Sequence, residues 1–579
     1  MTAPDRLPPV DAADHTTVLP RLVSDGLPAE ELEAAAEPSF EEEHQGAAGN
    51  SMLMAVGSLV SRGTGFLRTA VLTAAIGTEV LGDTYTTAQI FPGMIYELLL
   101  GGILSSVLVP MLVRARKTDP DRGEAYTQRL LTITMIVLGI TTVLAVICAP
   151  LLSLTYASGN PQEYRDLITA LSYLMLPTIF FYGVTGLCSA VLNTRGRFGP
   201  PMWTPILNNI VVIGTGIAFM VIYHDKPVTD PTQVTRGEIL LLGGGVLLGI
   251  LIQSMGLLPA LRKVGFRWRL RFGFRELGLR RLARIGGWML CYVIVNQVAL
   301  LVMTNLLNRG QKHGPGPMIY NNVFLLMMMA HGIIAVSIIT ALLPRMSAAA
   351  ADGRAGDIAA DLGRGIRMVS VVIAPIAVTY AVLALPIAIA LFERGAVDRE
   401  ASIHTAPVLM VAGLALLPFA ISQLFNFSYY SMQDTKTPAL INLPVISLRL
   451  SLQLGWVAAF AIGTTAVGMM FGNAVSYIAA ALFSAVLLKR RIGLIGLRRI
   501  SATLAKVLVA ALVAAAAGWG SVKLLYMGAT QTTVSSLTAW VTLIFGGLII
   551  CGVYGAVTLA LRVEEVHDVI GMVRRRLGR

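Results

Sequence analysis

The chain has 579 residues, 55% of them hydrophobic and 13% charged, with a formal net charge of +12 and a mean hydropathy of +0.70. A soluble globular chain carries about 25% charged residues, so this composition excludes a soluble multidomain protein and leaves most of the chain without water to face. Apolar runs of about 20 residues match a hydrocarbon core about 30 Å thick. Lipid satisfies no backbone polar group, so such runs are helices or a closed barrel, and continuous apolar runs select helices over the alternating pattern of barrel strands.

The first 48 residues hold eleven acidic residues and two arginines, a net charge of −9 that leaves +21 for the rest. Runs such as Glu30-Glu31-Leu32-Glu33 and Glu41-Glu42-Glu43 read as a disordered acidic cytoplasmic tail. The segment lacks the basic start and apolar stretch of a signal peptide. Apolar segments then fall at about 51–77, 84–112, 129–155, 165–193, 200–223, 238–261, 285–307, 317–343, 366–392, 403–430, 438–462, 464–488, 503–526 and 535–561. The expected architecture is an all-α integral membrane protein with about fourteen transmembrane helices, here numbered as spans.

Charge in the connections sets an expected orientation. Arg114, Arg116, Lys117 and Arg122 follow span 2, nine basic residues lie between Arg262 and Arg284, and Lys489, Arg490, Arg491, Arg498 and Arg499 follow span 12. Connections after odd-numbered spans are short and polar, as in Ser158-Gly159-Asn160-Pro161. The positive-inside rule then puts both termini in the cytoplasm of a multi-pass plasma-membrane protein. Basic loops facing anionic membrane lipids account for the positive charge. Nucleic acid is not an expected partner, because the basic residues are split among loops with no nucleic-acid-binding fold beside them.

An internal repeat organises the spans. Span 2 ends in Leu104-Ser105-Ser106-Val107-Leu108-Val109-Pro110 and span 8 in Ile338-Ile339-Thr340-Ala341-Leu342-Leu343-Pro344, an offset of 234; Pro200 and Pro438, opening spans 5 and 11, are 238 apart. A six-span unit used twice gives two pseudo-symmetric lobes in parallel orientation, with two extra helices at the end. The expected division is a tail over 1–48, an N-lobe over 49–263, a C-lobe over 264–491, a two-helix extension over 492–564 and a basic cytoplasmic tail over 565–579.

Polar residues at membrane depth mark candidate function, because each is costly there. Arg62 and Arg68 lie within span 1; a six-residue step turns a helix by about 600°, so the two point about 120° apart. Asp83 opens span 2 and Glu97 lies within it; His331 lies in span 8 and Arg449 in span 11. Asn208 and Asn209, Asn296 and Gln297, Asn321 and Asn322, and Gln423 and Asn426 add amides. Arg62 and Glu97 read first as substrate contacts, with an ion pair holding two helices as the alternative, and the amides as helix glue or as a polar chamber between lobes. Cys148, Cys188, Cys291 and Cys551 lie in apolar runs without metal or disulfide spacing, and read as small core residues. No nucleotide-binding loop, HExxH or GxSxG motif occurs, so no catalytic, metal or cofactor site is expected and transport would draw on a gradient or the membrane potential.

Several of these residues sit in longer motifs: Ser61-Arg62 through Gly65-Phe66-Leu67-Arg68, then Ile76-Gly77 and Asp83; Leu192-Asn193-Thr194 with Arg197-Phe198, Pro200 and Pro205; Leu391-Phe392-Glu393-Arg394-Gly395; and Tyr430-Ser431-Met432-Gln433-Asp434-Thr435-Lys436-Thr437-Pro438. With them the chain, from about residue 51 to the end of span 14, resembles the MurJ (MviN) family of lipid II flippases in the multidrug/oligosaccharidyl-lipid/polysaccharide exporter superfamily. The resemblance implies movement of undecaprenyl-pyrophosphate-linked disaccharide-pentapeptide from the inner to the outer leaflet for peptidoglycan synthesis. It implies a cationic cavity for the pyrophosphate, a lipid-tail groove beside spans 13 and 14, and possible contact with cell-wall synthesis or division proteins. Arg62 and Arg68 occupy the positions of family arginines; Asp83, Glu97, Asn209 and Gln297 complete the expected substrate-binding set. The chain departs from the family pattern where further arginines are common, reading Tyr96-Glu97 in span 2 and Phe324-Leu325-Leu326 in span 8; either Arg62 and Arg68 do more of the work, or another cation such as Arg284 or Arg449 contributes. The remaining alternatives are export of another lipid-linked sugar, cation-coupled drug antiport, and a non-transporting cell-wall scaffold.

Overall fold

A computed structural model describes residues 40–101, 112, 121, 123–223, 228–266, 268–273, 279–310, 314–493, 496–527 and 530–566. Residues 1–39 of the expected acidic tail, the basic residues after span 2 between 113 and 120, and the tail beyond 566 lie outside them. Every regular element among the described residues is helical. Helix α1 (Phe40–Ile76) is followed by α2 (Val80–Tyr96), which runs on as a π-helical turn over Glu97–Gly101. Next come α3 (Glu124–Ile147), the short α4 (Ala149–Tyr156), and α5 (Gln162–Met175) with α6 (Thr178–Thr194), broken at Pro177. Then follow α7 (Gly199–Tyr223), α8 (Arg236–Met255) and its continuation α9 (Leu258–Lys263), α10 (Leu279–Gly310), α11 (Pro317–Ala351), α12 (Ala355–Val382) and the short α13 (Ala384–Phe392). The chain continues with α14 (Arg399–Ser431), α15 (Lys436–Ala459), α16 (Thr465–Ile492), α17 (Leu497–Leu525) and α18 (Ser536–Ala560).

Twelve of these helices, with α5–α6 and α8–α9 each counted once, are long and apolar enough to cross a membrane; they coincide with predicted spans 3 to 14. α1 and α2 stand where spans 1 and 2 are expected, but α2 has only 17 residues before its π turn, so length and composition give twelve where the sequence suggested about fourteen. α1 also starts earlier than expected. It begins at Phe40, inside the segment expected to be disordered.

Local sequence explains several helix starts. Thr235 and Glu238 form a reciprocal capping box on α8, the Asp398 carboxylate accepts from Ala401 N–H at the start of α14, and the Ser535 hydroxyl accepts from Thr538 N–H at α18. Each satisfies amides that a helix cannot satisfy itself.

From residue 54 onward the helices pack around two main apolar cores. One gathers Leu72, Tyr85, Phe91, Leu138, Leu171 and Val246, from α1 to α8. The other gathers Val323, Leu362, Leu416, Met469, Ala510 and Ile550, from α11 to α18. The packing pattern repeats: α2 packs on α5, α5 on α8 and α7 on α8 in the first lobe, as α11 packs on α14, α14 on α16 and α15 on α16 in the second. Pro200 and Pro438 both lie in the first turn of the equivalent helices α7 and α15. The extra pair α17–α18 packs on α12 and α13. Large apolar side chains also cover the outside, among them Ile140, Val143 and Ile147 of α3 and Leu508, Leu512, Ile544 and Leu548 of the last pair, as a hydrocarbon environment permits. Of the four free cysteines only Cys188 is buried; Cys148, Cys291 and Cys551 are exposed, so the expectation that all are core residues holds for one. An apolar run in a membrane helix has a lipid face as well as a core face, and the run alone does not say which a cysteine occupies.

Candidate functional site

The two lobes meet at one end of the bundle, the end carrying the short turns at 77–79, 157–161, 314–316 and 393–398. The Asn308 side chain is the hub there. Its Oδ1 accepts from Tyr164 Oη at 2.8 Å and Thr87 Oγ1 at 3.2 Å, its Nδ2 donates to Tyr156 O at 3.0 Å, and its backbone oxygen accepts from Asn160 Nδ2 at 2.9 Å. Asn305 Nδ2 donates to Thr155 O, and Arg309 Nη2 to Ser158 Oγ. Asp83 is completely buried, and its Oδ1 accepts from Met318 N–H at 2.8 Å, capping α11 from the other lobe. Its Oδ2 has no hydrogen-bond partner among the described residues and packs so close to Gly316 that any Cβ there would lie 1.9 Å from it. Deeper in the interface, Asn322 Nδ2 donates to Thr73 Oγ1 at 3.0 Å. The backbones also touch: Ala396 N–H donates to Ala74 O at 2.8 Å. Gly395 makes that possible twice over, with φ +60 and a virtual Cβ only 2.2 Å from Ala74 O.

Below this latch lies a cavity of about 550 Å³ between the lobes. The first lobe contributes Thr86, Ile90 and Glu97 from α2 and its π turn; the second contributes Gln297 and Thr304 of α10, Asn321 of α11, Phe419 of α14, Arg449 of α15 and Tyr477 of α16. Among the described residues, Arg449 is the only arginine or lysine in this wall. Its Nε donates to Ser476 Oγ at 3.3 Å, its guanidinium stands 5.9 Å from the Tyr477 ring centroid, and it has no carboxylate partner among the described residues. Gln297 Oε1 and Thr304 Oγ1 are buried and without hydrogen-bond partners among the described residues. Buried polar atoms normally find partners, and those that do not mark a place for strain, water or ligand.

The expected site residues separate. Glu97 and Gln297 line the cavity with Arg449. Arg62 lies against Gly332 of α11, where a Cβ would fall 2.0 Å from its Nη1; the glycine leaves room for the guanidinium. The neighbouring His331 ring stands 4.6 Å from Phe419, a cavity residue, so Arg62 adjoins the cavity rim. Arg68 turns instead into the first lobe, where Tyr85 of α2 and Tyr182 of α6 are its electrostatic neighbours, and its Nε is buried without a partner among the described residues. This is the divergence that the helical step implied. Arg62 and Glu97 form no ion pair. Asp83 belongs to the latch. Asn209 Nδ2 donates to Ser61 O and Thr64 Oγ1, joining α7 to α1 within one lobe. The latch residues Asn305, Asn308, Asn160 and Tyr164 were not singled out in the sequence. They lie at span ends, where polarity is ordinary; a pair of asparagines spaced by three at the end of an apolar run is the one available signal.

Two lobes of equivalent helices, closed at one end above a polar cavity, place the chain in the two-lobed helical fold class that solved transporters of the MOP superfamily share. A solved structure of an inward-facing multidrug resistance MATE family transporter of the MOP superfamily superposes with TM-score 0.60 at 14% identity, over 75% of this chain and 95% of that one. Within the class, the chain belongs to the lipid II flippase MurJ family, whose profile matches residues 72–539. The probable lipid II flippase MurJ of Haemophilus influenzae is 25% identical over 531 residues, covering 88% of this chain and 99% of that protein. The lipid II flippase MurJ of Burkholderia cenocepacia is 26% identical over 397 residues, 67% and 74% of the two chains. A solved structure of lipid II flippase MurJ in an inward closed conformation superposes with TM-score 0.69 at 17% identity, over 88% of this chain and 99% of that one.

Proposed function

We propose that this protein is a flippase that carries lipid II from the inner to the outer leaflet by alternating access of its two lobes. The family match over residues 72–539 carries this reading. The geometry supports it: polar groups at one end tie the lobes together, while the cavity beneath keeps a cation, a buried amide oxygen and a buried hydroxyl open to a ligand. By the positive-inside rule the basic connections and both termini face the cytoplasm, which makes the latched end the outer one and the conformation closed to the outside.

In this reading Arg449 meets the pyrophosphate. A guanidinium stays charged and offers several donors in a fixed fork, and a charge-assisted bond in a site poor in water is stronger than a neutral one. Gln297, Asn296 and Asn321 supply donors and acceptors for sugar hydroxyls, and Glu97 offers an acceptor across the cavity. Arg62, at the rim, is the second cation, and Arg68 acts from within the first lobe. Binding the headgroup draws the lobes together at the basic end, the latch through Asp83 and Asn308 opens, and the headgroup is released outward. The membrane potential can drive one half of the cycle, at about 2.3 kcal/mol per charge per 100 mV.

The test is transfer of labelled lipid II in vesicles holding the purified protein under an imposed potential. The reading predicts transfer with wild type. No transfer, alongside efflux of small organic cations, would replace it with drug antiport.

A further inference from the structure

The connection between the lobes contains the heptapeptide Phe266-Arg267-Trp268-Arg269-Leu270-Arg271-Phe272, in which apolar residues and arginines strictly alternate. Its described residues are not helical, and contacts hold Phe266 and Arg271. Arg195 Nη1 donates to Val264 O at 2.7 Å, and its guanidinium covers the Phe266 ring at 5.2 Å. Gly265 turns the chain with φ +73, and Arg271 N–H donates to Thr132 Oγ1 of α3 at 3.2 Å. Beneath the segment lies a cavity of about 570 Å³, separate from the one between the lobes. Leu131 and Met135 of α3, Val184 of α6, Leu261 of α9 and Phe266 form its apolar wall; Arg262 and Trp268 also line it. Phe266 is buried, whereas Trp268 is 46% and Leu270 68% exposed. Arg262, Lys263, Arg269 and Arg271 are exposed and have no carboxylate partner among the described residues.

We propose that this cavity is a binding site for an anionic glycerophospholipid, one acyl chain entering the apolar pocket and the headgroup phosphate meeting Arg262, with Arg269 and Arg271 beside it. Apolar lining and a cationic rim in one place are the complement of such a lipid and of little else. A neutral detergent-like guest would leave the unpaired guanidinium without a partner, and a soluble anion would leave the apolar wall empty. Trp268 suits the boundary, since an indole has an apolar body and one polar N–H. The site stands on the first lobe beside its link to the second, away from Arg449, and does not depend on what the central cavity carries.

Trp268 reports on it directly. The chain has six tryptophans, so the Trp268 signal is the emission difference between wild type and Trp268→Phe in lipid nanodiscs free of lipid II. With bromine-labelled acyl chains, phosphatidylglycerol should quench that signal at about fivefold lower mole fraction than phosphatidylcholine, the preference worth one basic residue at an anionic surface. Arg262→Gln should remove most of the preference. If that variant fails to fold, raising the salt of the wild-type sample should weaken the preference instead, because exposed charges are screened. Equal quenching by the two lipids, no quenching by either, a preference indifferent to both Arg262→Gln and salt, or displacement of the lipid by trace lipid II would each overturn the assignment.

Discussion

The latch and the cavity are parts of one interface between the same two lobes, yet they treat polar groups in opposite ways. At the latch, Asn308 alone engages Thr87, Tyr156, Tyr164 and Asn160, and Asp83 caps α11. In the cavity, Gln297, Thr304 and Arg449 keep capacity that the described residues leave unused. Removing a buried polar group from a satisfied set costs stability of the state that holds it, whereas an open set gives up little until a ligand arrives. Residue type does not separate gate from site, since amides serve both; satisfaction by the opposite lobe does. Asp83 Oδ2 and Asn160 Oδ1 are the latch atoms that depart from the rule among the described residues.

The contrast can be broken in graded ways. Asn308→Ala removes three side-chain hydrogen bonds across the lobes; at about 1 kcal/mol each, the closed-to-open ratio should fall about 100-fold. Spin labels at the exposed positions of Glu163 and Glu400, one on each lobe, should then report a longer distance at the latched end. Arg449→Ala leaves that distance unchanged but should weaken lipid II binding about 10- to 100-fold, the range for a hydrogen bond to a charged group; Arg449→Lys should recover only part of it, because the fork is lost. Asn209→Ala, which removes the two side-chain hydrogen bonds joining α7 to α1 inside one lobe, should lower thermal stability by about 2 kcal/mol and leave lipid II affinity unchanged. The smallest effect is a pH dependence at the latch mouth. Burial first, then Asp398 and Glu400 of the second lobe, hold the Glu79 carboxyl above its ordinary value of 4.5. Asp83 lies beneath it, and His404 stands 3.7 Å from Glu400. A carboxyl raised on closure favours the closed state when protonated, so closure should be fully favoured below 4.5 and weaken as pH rises through the raised value. Glu79→Gln should flatten that dependence in spin-label distances read with the second label at exposed Arg394 instead, so that Glu400 stays in place.

The helices were legible because the apolar run is the physical requirement for crossing a bilayer, and the repeat was legible because Pro200 and Pro438 open equivalent helices. The diverging directions of Arg62 and Arg68 followed from the six-residue step. What the sequence hid was long-range pairing. Asn308 meets Tyr156 and Tyr164 across 144 residues or more, and Asp83 meets Met318 across 235. No local pattern encodes such partners, so Asp83 read as a site residue while its hydrogen bond to Met318 N–H joins the two lobes. Gly332 and Gly395 were opaque for the same reason: the one makes room for Arg62 and the other for the Ala74 carbonyl, and neither need is visible in one strand of text. Arg449 stood out only as a charge in an apolar run; its isolation from carboxylates needed the surrounding helices.

The most direct test is a leaflet-resolved lipid II assay in cells whose own flippase is depleted and which carry this protein. Lipid II should reach the outer leaflet with wild type and with Asn209→Ala, and should accumulate on the inner leaflet with Arg449→Ala at equal membrane levels. Full outer-leaflet lipid II with Arg449→Ala, or none with wild type, would contradict the account.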